Sequence, residues 1–333
     1  MLSRVADSAF WMSRYVERAE NIARIVDVNQ QLLLDMPTVK EEDAAGHWPR
    51  VVACLGDDTE FRKRKLSAEA GVIMDFLLFD RTNPNSLAGC LASARENART
   101  IRELITAEMW EQINRTHLWL ASKASNQFYA RSSYDFFQRI KKSLQLFQGI
   151  TDSVMHRGEG WEFIQLGKYL ERADKTSRIL DDKFFLRTPD KKALPDTTPQ
   201  WTAILRSCNA RQTYLRLYAS AVDPKRVIEL LALNPAFPRS ILFCIHHVDQ
   251  SLRRVSGVPG GQFTNLAEKL SGRLLSSLCY SSVDDLWNNG LHKSMDDLQQ
   301  ELNEIGSAIL ETYIHPSAPP VISSPLQMMD VPQ

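Results

Sequence analysis

Two stretches of this chain set a glutamate directly before an arginine inside a helical pattern. They are "RYVERAENIARIVD", with Glu17 and Arg18, and "KYLERADKTSRILD", with Glu171 and Arg172. Such a pair can do two kinds of chemistry. A glutamate whose pKa is tuned by burial acts as a general base, and an arginine fork holds a carboxylate or phosphate. Glu17, Arg18, Glu171 and Arg172 are therefore the candidate catalytic residues. A carboxylate taken out of water also needs a cationic partner. The same four residues could equally form a charge-paired seam that fixes the register of two helices. The residue types leave both readings open, with a solvated charged face as the third.

Further arginines extend the candidate set. Arg14, Arg24, Arg95, Arg99, Arg178 and Arg239 are the anion-binding candidates. Spacing makes Arg14 and Glu17, Glu17 and Asn21, and Glu20 and Arg24 neighbours within one helix, and Glu17 of one segment could meet Arg172 of the other. Arg95, Arg99 and Arg102 line one flank of a helix where Glu96 and Glu103 offer surface pairing. Arg239 follows Pro238 at an expected helix start, where backbone N–H groups favour an anion or an ordinary cap.

Other signals point to no chemistry. "RKRK" at Arg62–Lys65 reads as a solvated face, and adjacent His246 and His247 cannot act as i, i+4 metal ligands on one helix face. "SGVPGG" has no preceding strand and no following Gly-Lys-Ser/Thr, so it is a loop. Trp161 reads as a bundle anchor. No G-x-S-x-G or nucleophile-type cysteine is present, and neither a cofactor nor a metal is expected.

The elements that must carry the Glu-Arg pairs are repeated. At a shift of 154 residues Tyr15 falls on Tyr169, Glu17 on Glu171, Arg18 on Arg172, Arg24 on Arg178 and Asp27 on Asp181. The same shift later matches Cys54 with Cys208, Pro84 with Pro238, Ser86 with Ser240, Cys90 with Cys244 and Arg99 with Arg253. A constant offset over this length predicts two tandem copies, 1–154 and 155–314, followed by a poorly ordered proline-rich tail, 315–333.

Nearly every segment has helical periodicity, and the expected fold is an all-α bundle of two pseudo-symmetric repeats. Val5, Met12, Val16, Ala19, Ala23 and Val26 share one face of a long first helix, whose other side carries Phe10, Ile25 and Val28. Apolar residues on more than one face place that helix at the centre, with Glu17 at least partly enclosed. Leu87, Leu91, Ala94 and Ala98 line another helix, with Pro84 in its first turn. Further helices are expected at 48–55, 64–80, 109–151, 202–220, 224–233, 239–255, 263–278 and 282–312. Breaks are expected at Met36–Pro49 and Arg187–Trp201.

Composition excludes several classes. Forty basic and forty acidic residues give a formal net charge of zero in 333 residues, which argues against nucleic acid or an anionic membrane as the main partner. The start of the chain reads as neither signal peptide nor spanning helix, and no stretch approaches eighteen uncharged apolar residues. The five cysteines are dispersed and odd in number, consistent with a cytoplasmic location and buried small hydrophobes.

Three motifs in order, "MLSRVADSAFWMSRYVERAENIARIVDVN", "NPNSLAGCLASARENARTIRELITAEMWEQIN" and "GEGWEFIQLGKYLERADKTSRILD", resemble the bacterial α-E family over most of the chain to about residue 314. The family's Glu-Arg pair falls on Glu17 and Arg18 and again on Glu171 and Arg172. Its "ARENAR" motif falls on Ala94–Arg99, but the corresponding "VDQSLR" at Val248–Arg253 keeps only the last arginine. The resemblance implies a cytoplasmic all-helical protein encoded beside a circularly permuted ATP-grasp protein and a transglutaminase-like cysteine peptidase. The expected role is accessory: a binding partner of an ATP-grasp amide or peptide ligase, or of its peptide or anionic substrate. An enzyme using a glutamate base and an architectural scaffold are the alternatives.

Overall fold

The computed structural model describes residues 2–35, 41–181 and 198–314, and all regular structure among them is helical. The first half contains α1 (Ser3–Asp35), α2 (Glu41–Leu55), α3 (Asp58–Lys63), α4 (Ala70–Leu78), α5 (Leu87–Thr100), α6 (Ala107–Ala121), α7 (Lys123–Arg131) and α8 (Ser133–Val154). The second contains α9 (Glu159–Leu180), α10 (Thr198–Ser207), α11 (Arg211–Tyr218), α12 (Pro224–Ile228), α13 (Ile241–Ser256), α14 (Leu266–Tyr280), α15 (Val283–Asn288) and α16 (Leu291–Ile309). Single π-helical turns, Glu229–Leu233 and Leu310–Ile314, follow α12 and α16.

Helices α1 and α9 are the axis of the bundle and lie against each other; α5 packs on α1, and α13 on α9. Their composition requires it. Between Gly160 and Leu180 every residue except Tyr169 and Arg178 is buried, so α9 has no water-facing stripe and must be covered all round. Gly167 permits the close crossing, because a methyl group there would overlap the Phe10 carbonyl oxygen of α1. Helix α6 packs on α5 and α8 closes against α6 and α1, while α14 packs on α13 and α16 closes against α14 and α9.

Side-chain caps set many of the boundaries. Ser86 accepts a hydrogen bond from the Gly89 N–H at the start of α5, and Ser240 accepts one from the Phe243 N–H at the start of α13. These satisfy donors that a helix start leaves without an internal partner. The Cys90 and Cys244 thiols lie 3.7 Å from the Pro84 and Pro238 carbonyl oxygens, respectively.

Several expected boundaries are corrected. The helix expected at 64–80 is only α4, because a positive φ of 52° at Lys65 breaks the helical path after α3, a short helix that was not expected, and regular structure resumes at Ala70. The one expected at 109–151 is α6, α7 and α8, divided at Ser122 and Ser132, whose extended backbones cannot continue a helix. Asn209, at φ 53°, ends α10 before α11, and Gly290, at φ 87°, separates α15 from α16. Pro84 lies before the Ser86 cap rather than in the first turn of α5. The break expected at Met36–Pro49 is shorter, since α2 begins at Glu41 and contains Pro49. Residues 36–40, most of the second expected break and the 315–333 tail lie outside the described residues. Among the described residues no helix is long and apolar enough to cross a membrane.

Candidate functional site

The four Glu-Arg residues meet reciprocally where α1 crosses α9. Arg172 donates from Nε and Nη2 to the two oxygens of Glu17, at 3.0 and 2.8 Å. Arg18 donates in the same way to Glu171, at 2.7 and 3.0 Å. Each is a bidentate fork on a carboxylate. Both glutamates are 0% exposed.

Each carboxylate is surrounded by further cations. Arg239 reaches from the start of α13 to Glu17 at 2.9 Å, to Asn21 at 3.0 Å and to Glu20 at 2.9 Å. Lys168 is buried nearby and adds positive field. Around Glu171 the further cations are Arg14, at 2.8 Å, and Lys175, at 3.9 Å. Arg14 therefore pairs across the helix crossing, not with Glu17 in its own helix as spacing predicted. Arg239 neither caps α13, which Ser240 does, nor waits for an external anion: its anions are Glu17 and Glu20.

The two surrounds differ by an exchange. Positions 154 residues apart give Arg14 and Lys168 the same place, but Asn21 corresponds to Lys175, and Asn85 to Arg239. Glu17 has Arg239 as its third cation and Asn21 one turn along; Glu171 has Lys175 one turn along, while Asn85 accepts a hydrogen bond from Arg18 Nη1. A cation at one position replaces a cation at the other, and an asparagine fills the place left. Each glutamate thereby keeps three cations.

The electrostatics follow from these partners. Burial alone would raise the Glu17 carboxyl, but Arg172 and Arg239 hold it down at about 2. Glu171 is also lowered well below the carboxylate range, against the effect of burial, chiefly by Arg18 and Arg14. Burial and then Arg172 push Lys168 down to about 8. The resulting arrangement is two ionised carboxylates sealed among cations, so that neither glutamate is poised near neutral pH to take a proton.

The remaining candidates do not join this cluster directly. Arg24 binds Glu20 at 3.0 and 2.6 Å, and Arg178 binds Asp174 at 3.0 Å, each within its own helix. Arg95 and Arg99 lie elsewhere: both pair with Glu96, not Glu103, and Arg95 also donates to Asn114. Arg99 is 63% exposed. Arg95 and Arg102 lie over the Trp110 ring. Trp161 is buried under Arg157. His247 stacks on Tyr169 at 4.5 Å, and His246 bonds Gln250.

Four cysteines are buried as expected, but Cys279 is exposed near the end of α14. Asp181, His292 and Asp296 come within metal-binding reach of one another. Each ring nitrogen of His292 faces a different carboxylate, at 2.9 Å from Asp181 and 3.4 Å from Asp296, a geometry suited to an oriented imidazole. Lys168, Lys175 and Asn85 were missed in the sequence as members of the Glu-Arg cluster. The 154-residue offset was the available signal, since it sets Lys168 on Arg14 and Asn85 on Arg239.

Together, the all-helical fold and its central glutamate-arginine crossing define a class of helical protein organised around a buried ion-pair motif. The chain belongs to the Alpha-E family, whose model matches residues 1–314 and is described as a predicted alpha-helical domain with a conserved ER motif. It is similar to an uncharacterised protein of Mycobacterium bovis and to two of Mycobacterium tuberculosis, each 22% identical over 320 residues and covering 92% of this chain. The chain spans only 35% of the length of those relatives. No solved structure matches it.

Proposed function

We propose that this chain is a non-catalytic helical accessory protein whose Glu-Arg pairs lock α1 to α9, and that it serves an ATP-grasp amide or peptide ligase as a binding partner. The observation that carries the non-catalytic part is the complete burial of Glu17 and Glu171, each held ionised by a bidentate arginine. A general base must reach its substrate and have a pKa near the working pH; these carboxylates are enclosed and shifted the other way. The enzyme reading is weaker for that reason.

The ligase enters from the gene company that the family resemblance implies, with the transglutaminase-like peptidase as a second candidate partner. The chain's 35% share of its relatives' length supports a module that works beside further domains. We also infer that 1–154 and 155–314 are tandem copies. The constant offset, the Ser86 and Ser240 caps and the reciprocal pairing of Glu17 with Arg172 and Glu171 with Arg18 support that reading.

The test is ATP turnover by the partner ATP-grasp protein with candidate amino acids and peptides, in the presence and absence of this chain. Turnover that rises on adding the chain is expected. Turnover indifferent to it, together with no complex by size-exclusion chromatography, would overturn the accessory role.

A further inference from the structure

A second polar site lies away from the Glu-Arg crossing. Helices α1, α8, α10 and α11 enclose a cleft of about 460 Å³, whose lining includes Arg24, Lys141, Arg206 and Arg211 and, among the described residues, one carboxylate, Asp27. This volume falls in the range of small-molecule pockets. The charge is graded with depth. Arg24 and Lys141 are largely buried on the floor, and Arg206 and Arg211 are exposed at the rim.

The floor cations keep donors in reserve. Arg24 commits Nε and Nη2 to Glu20, and Nη1 has no hydrogen bond among the described residues. Lys141 donates to Asp27 at 2.6 Å, which uses one of its three N–H groups. Arg211 makes no ion pair with a described residue. The start of α11 also opens on the cleft through Arg211, Gln212 and Thr213. Its N-cap is Ala210, which has no side chain to accept from the first turn. The N–H groups of those three residues have no hydrogen-bond partner among the described residues, leaving the positive end of the helix available to an oxyanion.

The corresponding face of the other half has the opposite character. Arg178, 154 residues after Arg24, lines a cleft with Asp296, Glu304 and Glu311, and those acids would repel an anion.

We propose that the α1–α8–α10–α11 cleft binds a phosphate-bearing small molecule, one per chain, with Arg211 supplying the charge that opposes the phosphate and the remaining N–H groups of Arg24 and Lys141, together with those at the start of α11, receiving its oxygens. A phosphate fits better than a lone carboxylate because it offers at least three oxygens to donors converging from the floor, the rim and the helix start. The site stands whether or not a ligase is the partner, because none of its evidence comes from the family.

Equilibrium dialysis of the full chain against radiolabelled pyrophosphate at low ionic strength tests it. The expected result is saturable binding of one equivalent. Arg211→Glu should weaken it at least about tenfold, the scale of one charge-assisted hydrogen bond lost, and Arg211→Gln should act in the same direction. Arg99→Gln, on a distant surface, should leave it unchanged. Arg211 is exposed, and glutamate is favourable in a first helical turn, so the variant folds. No saturable binding, two equivalents, or binding insensitive to Arg211→Glu would overturn the assignment.

Discussion

Arg172 grips both oxygens of Glu17 from the opposite helix, at 3.0 and 2.8 Å, in a place where the carboxylate has no contact with water. Arg18 does the same to Glu171. Taking four charges out of water is costly, and the cost is recovered only when every charge keeps its partners. The pairs therefore act on specificity as much as on stability: a shift of α1 along α9 would leave ionised groups unpaired in the core.

Removing one partner should be severe. Glu171→Gln leaves Arg18, Arg14 and Lys175 facing a neutral side chain, with an expected loss of about 3–5 kcal/mol. The urea unfolding midpoint, compared with that of exposed Glu96→Gln as a surface control, measures it.

The crossing itself makes a separate prediction. Gly167→Ala sets a methyl group on the Phe10 carbonyl oxygen, and backbone cannot yield as a side-chain tip does. A loss of about 1–3 kcal/mol is expected. Gly149→Ala, where a methyl meets nothing within 4 Å, should be neutral or mildly stabilising, and thermal unfolding of the two variants compares them.

Stability should fall in two acid stages. Burial lowers His47 and His247 to about 4 from an ordinary 6.5, and lowers His117 in the same direction. The unfolded chain then binds more protons between pH 6.5 and 4, so stability declines across that window as pH falls. Glu17 and Glu171 are depressed carboxylates, so their contribution is present above pH 4.5 and is lost as pH falls toward 2 and below. Urea midpoints measured from pH 8 to 2 should show both stages, and the His47→Gln, His247→Gln double variant should flatten most of the first alone.

Thiol chemistry should single out one residue. Cys54, Cys90, Cys208 and Cys244 are buried, and burial pushes each thiol up to about 12, whereas Cys279 is exposed. A colourless-to-coloured disulfide reagent should titrate one thiol rapidly in the native protein and five in denaturant. More than one rapid thiol in the native protein would contradict the burial.

Helical class, the central position of α1 and the pairing of Glu17 with Arg172 were legible in the sequence, because they depend on periodicity and on identical residues 154 apart. The rest of the cluster was harder to see. Lys175 and Arg239 stand opposite asparagines in the other half, and a comparison by residue identity passes over compensating changes of charge. The breaks at Lys65 and Asn209 rest on left-handed backbones at residues other than glycine, where the sequence carries weak punctuation. The arginine-lined cleft joins α1, α8, α10 and α11, which are distant in the chain and meet only in the folded bundle.

Three cations must surround each buried glutamate, whichever position supplies the third. Arg239→Asn removes one from Glu17 and should lower stability by about 3 kcal/mol. Adding Asn21→Lys installs a lysine one turn from Glu17, as Lys175 stands to Glu171, while the new asparagine takes the place that Asn85 has beside Arg18. The urea midpoint of the double variant should recover more than half of the loss. An Arg239→Asn midpoint equal to wild type, or a double variant no more stable than the single, would mean that the third cation does not hold Glu17 in place.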